Sequence, residues 1–238
     1  MALPLCDWRS AVKTAELKEL ATLMSRQAST YSLLSRLYRV EVDQELLDSM
    51  RKMNFELPGD PELDDIREGY CLWRGYLAKT TEQTLTDLAV DYVRTFIGAG
   101  RSAKEAAYPY ESIYTSPDRL LMQEARDEVL SLYRAEEISR VESFNEPEDH
   151  IALELEFMAV LCERAAPSLR EGDTGHALGY LKKQTLFLTE HLLNWTPVFC
   201  ADVVKFARED LYRGLAMVTK GYLQLEKQVL QDVISEIA

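Results

Sequence analysis

Glycine is scarce, cysteines are not clustered, no block of lysine or arginine occurs, and no apolar run is long enough to cross a bilayer. With 10 glycines and 8 prolines in 238 residues, the turn-dense composition of a β-sandwich or barrel is disfavoured. Cys6, Cys71, Cys162 and Cys200 lie far apart and form no Cys-x-x-Cys pair of the kind used by zinc or redox sites, so reduced and mostly buried thiols are expected. The net charge is −13, with 40 acidic residues against 27 basic ones. Nucleic acid is therefore an unpromising partner, because neutralising phosphates needs a basic footprint. An acidic surface serves solubility or a basic partner equally well. A membrane span needs about 20 apolar residues, which no stretch supplies. The opening residues Met1 to Trp8 also lack the basic, apolar and cleavage regions of a secretory peptide. These absences together predict a cytoplasmic protein.

What is present is helical punctuation. Hydrophobic residues make up 47% and charged residues 28%, a globular balance. Leu17, Leu20, Leu23, Met24, Tyr31, Leu34, Leu37 and Tyr38 recur at three- and four-residue spacing and predict one long amphipathic helix over 11–40. Asp43 can cap a helix through Met53, and Asp60-Pro61-Glu62 opens one to about Ala78. Thr80-Thr81-Glu82-Gln83 fits a capping box before a stripe ending at Phe96, after which Gly98-Ala99-Gly100 stops the helix. Ser116-Pro117-Asp118 predicts a helix to about Ala135, and Glu146-Pro147-Glu148-Asp149 predicts another to about Ala165. Beyond Pro167 and Gly172, Asp173 caps a helix to about Leu193. Thr196-Pro197 starts a further one, and the last runs over 209–237. The expectation is an all-α bundle over 1–238, a single domain of roughly nine to eleven helices, with long connections at 98–115 and 136–146.

Catalytic signatures are missing. A di-iron bundle needs Glu-x-x-His, and none of His150, His176 and His191 has a glutamate three residues before it. Gly98-Ala99-Gly100-Arg101-Ser102-Ala103 spells a dinucleotide fingerprint, yet it follows a helical stripe where a strand is required. No phosphate loop and no nucleophile elbow occurs, and no metal site is expected.

Three clusters remain. Tyr92 and Phe96 share a helix face and precede Tyr108-Pro109-Tyr110-Glu111-Ser112-Ile113-Tyr114; the helical pair reads as core packing, whereas the loop rings can face a ligand. Glu146-Pro147-Glu148-Asp149-His150 gathers four ionisable groups at a helix start, either to suit the helix dipole or to form a polar clamp at a groove. His191 to Phe199 reads as a helix end, a sharp turn anchored by Trp195 and Pro197, and a new helix.

In this order the three clusters resemble the TorD/DmsD family of maturation chaperones for molybdenum-cofactor redox enzymes, related more distantly to NarJ-type chaperones; the likeness covers most of the chain. The resemblance implies an all-α, non-enzymatic cytoplasmic chaperone. Its partners would be the twin-arginine leader, and in part the body, of an apo-oxidoreductase during cofactor loading. The leader-binding residues implied are Tyr92, Phe96, Pro109, Tyr110, Pro147, Asp149 and His150. Tyr92 and Tyr110 stand where relatives often carry tryptophan, and Thr95 where leucine is usual. No cofactor of its own is expected. A guanine nucleotide is a further ligand that the family brings in, and the chain would be a monomer or a dimer that swaps helices near 136–146.

Physically, a leader combining basic and apolar parts needs a trough and negative charge. Tyr92, Phe96, Tyr110 and Tyr114 are expected to bury the apolar part, while Glu111, Glu146 and Asp149 attract the arginines and His150 orients Asp149 or the guest backbone. Two other readings stay open: a helical adaptor or scaffold, and a small hydrolase using Asp149 and His150 as an acid–base pair.

Overall fold

A computed structural model describes residues 6–57, 60–98, 105–139 and 144–237, with the backbone alone for 6–14 and 62. The core is assembled around two long helices. Helix α1 (Cys6–Arg39) buries Leu17, Ala21, Met24, Ala28, Tyr31, Leu34, Leu37 and Tyr38, the three- and four-residue stripe that the sequence predicts. Each fully buried Leu or Met on that stripe contributes about 1.5–3 kcal/mol. Helix α2 (Gln44–Met50) starts at Asp43, whose carboxylate accepts from the Leu46 amide at 2.8 Å, as expected. A 3₁₀ turn (Pro61–Leu63) leads into α3 (Asp64–Leu77). Helix α4 (Thr84–Tyr92) runs on through a π-helical turn, Val93–Ile97.

A short α5 (Glu111–Thr115) precedes α6 (Glu124–Ala135) and α7 (Ile151–Glu171). Helix α8 (Thr174–Phe187), a second π turn (Leu188–Leu192) and α9 (Leu193–Phe206) then follow without leaving helical conformation, and α10 (Asp210–Ile237) closes the bundle. Ten α-helices are thus present among the described residues, and the sole strand-like pairing there is a single antiparallel bridge between Tyr110 and His150.

Helix α1 lies along α7, and α3 along α10. The second pair approaches closely because Gly69 faces Gly214: a Cβ on Gly69 would stand 2.7 Å from the Gly214 carbonyl oxygen. Trp73 closes that seam by donating to the Leu211 carbonyl at 2.8 Å. Helix α1 is tied to α10 through buried polar contacts, Gln27 to Glu226 at 2.7 Å and Tyr38 to Thr219 at 3.1 Å.

Five local expectations change. The expected capping box does not form: α4 begins at Thr84 behind Gln83, which makes no side-chain cap bond, while the Thr81 amide donates to Thr84 Oγ1 at 2.8 Å and Thr80 turns back to the Leu77 carbonyl. Ser116-Pro117-Asp118 does not begin a helix: with Arg119 and Met122 in the left-handed region (φ 54° and 56°), the chain turns until Glu124. Pro147 is not a first-turn proline, because α7 begins at Ile151 behind an N-cap at His150. Pro167 lies inside α7, which ends only at left-handed Gly172, φ 78°. Pro197 is likewise internal to α9, so the sharp turn expected after His191 is instead a π turn. The fingerprint-like 98–103 stretch, beyond Gly98, and the middle of the 136–146 connection lie outside the described residues.

Candidate functional site

An open cleft of about 580 Å³ forms where the C-terminal end of α1 meets the π turn after α4, the Pro109-Tyr110 stretch and the approach to α7. Tyr92, Phe96, Pro109, Tyr110, Glu146 and His150, drawn from three stretches of sequence, all line it. Local chemistry places each of them. The π turn closes with the Gly98 amide donating to the Val93 carbonyl at 3.0 Å, and Gly98 takes φ 73°. A Cβ there would also sit 2.5 Å from the Tyr108 hydroxyl, so glycine is required on both counts. The extra residue in the turn widens the helix and leaves Ile97 exposed at the rim while Phe96 points inward.

Two backbone hydrogen bonds join the loop to the start of α7. The Glu111 amide donates to the Asp149 carbonyl at 3.0 Å, and the Ile151 amide donates to the Pro109 carbonyl at 2.9 Å. His150 follows as the N-cap of α7: its Nδ1 accepts from the Ala152 amide at 3.0 Å, which requires an unprotonated Nδ1. Burial, with Arg39 nearby, lowers the pKa of this imidazole to about 3. His150 is therefore neutral at physiological pH, with its ring edge-on to both Tyr110 (5.1 Å) and Phe144 (5.3 Å). Tyr110 donates to Glu146 at 2.7 Å across the mouth, and burial pushes its hydroxyl pKa up.

Phe144 and the end of α1 are parts of the cleft that sequence reasoning missed. Arg39 lies over the Phe144 ring at 5.2 Å and pairs with Glu156. Arg36 caps the helix end by donating to the Val40 and Glu41 carbonyls, both at 3.2 Å, and pairs with Asp43 at 2.7 Å. Val40 and Glu41 face solvent beside them. No periodicity or motif marks these residues, because it is the tertiary approach of α1 that brings them to the site.

Tyr92 and Phe96 form the floor and belong to the core. Phe96 is 2% exposed and sits among Tyr38, Tyr92, Phe199 and Tyr212, while the Tyr92 hydroxyl donates to the Tyr38 carbonyl at 2.9 Å.

The other candidates lie elsewhere. Glu111 and Asp149 do not offer charge to a guest, since both are buried. Glu111 meets His191 Nδ1 at 3.0 Å, and the Asp149 carboxylate accepts from the Ser112 amide at 2.9 Å and from its hydroxyl. Burial raises the Asp149 pKa despite those bonds. Glu154 is raised further by its own burial and then by the neighbouring Glu111 and Asp149, while it accepts from Trp195 Nε1 at 3.1 Å. Trp195 is thus a buried anchor between α9 and α7. Tyr114 stacks on it at 5.5 Å and donates to Asp202 at 3.3 Å, outside the cleft. Pro147 is buried behind the Glu146 wall, with its carbonyl held by the His150 amide at 3.1 Å. The Asp149–His150 acid–base pair has no support in this arrangement, because the carboxylate is fully buried and the imidazole nitrogen serves as a helix cap. Among the described residues no group of three or more His, Cys, Asp or Glu is arranged to hold a metal ion, and no helix is long and apolar enough to cross a membrane.

Residues 60–201 match the family model described as "Nitrate reductase delta subunit". A protein named "Chaperone protein TorD" from Vibrio cholerae serotype O1 is 31% identical over 150 residues, covering 63% of this chain and 65% of the relative. The chain thus matches slightly under two thirds of that protein's length. "Chaperone protein TorD" from Aliivibrio salmonicida is 30% identical over 222 residues, covering 90% of this chain and 99% of the relative. A third of the same name, from Photobacterium profundum, is 33% identical over 154 residues, or 64% and 68% of the two chains. With ten helices among its described residues, the family-model match over 60–201 and a relative that it covers almost completely, the chain belongs to the TorD family, within the group described as nitrate reductase delta subunits.

Proposed function

We propose that this protein is a maturation chaperone for a redox enzyme. In the cytoplasm, its cleft holds the twin-arginine signal segment of a molybdenum-cofactor oxidoreductase until the cofactor is loaded, after which export follows. One observation carries the reading: four separated stretches converge on one open cleft with an aromatic floor, exposed Val40 and Ile97 at its rim, and Glu41, Asp43 and Glu146 beside them. An amphipathic guest laid into an apolar groove is a recurring mode of peptide recognition, with charge at the rim setting orientation and encounter rate. The arginines of the guest would meet Glu41 and Glu146 rather than Glu111 and Asp149. The reading needs no cofactor in the chaperone itself, and the named relatives are chaperones rather than enzymes.

The test is calorimetric titration with twin-arginine leader peptides of the host's molybdoenzymes. Tyr110→Ala and Ile97→Asp are expected to weaken binding by about tenfold or more, while Tyr114→Phe leaves it unchanged. Absence of binding by every such leader, or wild-type affinity in both cleft variants, overturns the proposal.

A further inference from the structure

A second surface stands apart from the cleft and shares none of its lining residues. Between α5 and α6 the chain presents Leu120, Leu121 and Met122 consecutively to solvent, at 54%, 44% and 62% exposure. Their exposed area is roughly 300 Å², a size at which an apolar patch on a soluble protein is often functional. The loop is held in place rather than left loose. The Leu120 amide donates to Ser116 Oγ at 3.1 Å, Gln123 Nε2 to the Leu121 carbonyl at 2.8 Å, and the Arg119 guanidinium covers the Tyr114 ring at 5.4 Å.

Directly beside this loop, a pocket of about 250 Å³ is lined by Thr115 to Pro117, Gln123 and Asn194 together with four glutamates, and by no lysine or arginine. Glu111 lies at its buried base, engaged by His191. Glu124, Glu128 and Glu190 are exposed around it. Aliphatic side chains and carboxylates therefore face solvent side by side.

We infer that this is a docking surface for a segment of a partner protein that carries an arginine or lysine flanked by aliphatic residues: the cationic head enters the glutamate-lined pocket and the aliphatic neighbours cover Leu120 to Met122. Charge complementarity selects this occupant. A second copy of this chain, at net charge −13, and an anionic lipid surface both bring like charge to the glutamates. A patch of this area is at the small end of protein interfaces and suits a transient, micromolar contact. The inference does not depend on what the cleft binds.

The probe is a fluorescein-labelled peptide of twelve residues, leucine and serine with one central lysine and no arginine pair, read by fluorescence anisotropy against the full chain. Saturable binding is expected. It should weaken at least about fivefold in Leu120→Ser/Met122→Ser and, separately, in Glu124→Gln/Glu190→Gln. A peptide of equal charge with serine in place of leucine should bind at least about fivefold more weakly. Absence of saturable binding, equal affinity for the two peptides, or insensitivity to either double variant overturns the inference. So does a wild-type dimer that Leu120→Ser/Met122→Ser converts to monomer, or Leu120-dependent sedimentation with anionic vesicles, since each places a different occupant on the patch. Circular dichroism of both double variants, whose changes lie on exposed side chains, is expected to match wild type, and a loss of helix in both refutes the assignment of these residues to the surface.

Discussion

Glu226 offers the most quantitative test of how α1 is held. Its carboxylate is 2% exposed and bridges α10 to α1, accepting from Gln27 Nε2 at 2.7 Å and from the Tyr31 hydroxyl at 3.4 Å. Burial pushes its pKa from an ordinary 4.5 up to about 7, against hydrogen bonds from Gln27, Tyr222 and Tyr31 that pull it down. Below the unfolded pKa both states hold the proton and the carboxyl costs nothing. Between the two pKa values the unfolded chain releases the proton while the folded one keeps it, so stability falls by about 1.4 kcal/mol per pH unit. Above about pH 7 the loss levels off near about 3 kcal/mol. Glu226→Gln keeps an acceptor for Gln27 and removes the titration. Its stability gain over wild type should therefore grow by about 2 kcal/mol between about pH 5.5 and about pH 8.5. That is a relative rise in Tm of about 4–8 °C for a chain of this length. Urea unfolding of both proteins at the two pH values, followed by circular dichroism, measures the difference of differences, in which every other titrating group cancels. A gain independent of pH, or a variant that loses ground at alkaline pH, refutes the reasoning.

His150 titrates in the opposite sense. Its pKa is depressed to about 3, so stability present above the unfolded value near 6.5 is lost as pH falls. His150→Asn, which can still cap α7, should flatten the acid limb of the stability profile by about 1.4 kcal/mol per pH unit below about pH 6.5. Phe96→Ala removes a core ring and should cost about 3–5 kcal/mol in chemical unfolding, so any loss of ligand binding in that variant has to be corrected for the unfolded fraction. Tyr110→Phe deletes the hydrogen bond to half-exposed Glu146 and should cost only about 1 kcal/mol of stability in the same assay. Gly98→Ala forces a side chain onto φ 73° and against the Tyr108 hydroxyl, and should lower stability by at least about 1 kcal/mol, with a matching fall in Tm.

The long elements were legible because their cause is local. The stripe of α1 and the Asp43 and Asp173 caps follow from spacing and from short polar side chains, and all three are found where the sequence puts them. Prolines misled in both directions. Pro167 and Pro197 look like helix boundaries in the sequence, yet packing of α7 and α9 in the core carries the helix through each, whereas Pro117 marks a turn instead of a start. Carboxylates misled for a related reason. The sequence pattern cannot distinguish a carboxylate at the surface from one whose bonding partner is distant in sequence, as His191 is for Glu111, 80 residues away. Grouping Tyr92, Tyr110 and His150 required only the ordered motifs. Adding Phe144, Arg36 and Arg39 required knowing which end of α1 arrives there, a property of tertiary packing alone.

The bridge between Tyr110 and His150 is built from main-chain atoms: the carbonyl of Pro109, the amide of Glu111, and the carbonyl and amide on either side of His150. Proline lacks an N–H but is asked here only for its oxygen, so the stitch survives substitution at 109 and 110 in a way that the neighbouring side-chain contacts do not. If the cleft holds a guest as proposed, the side chains at its mouth can be exchanged while the frame on which they are hung stays in place, and the scaffold can be retuned by two positions.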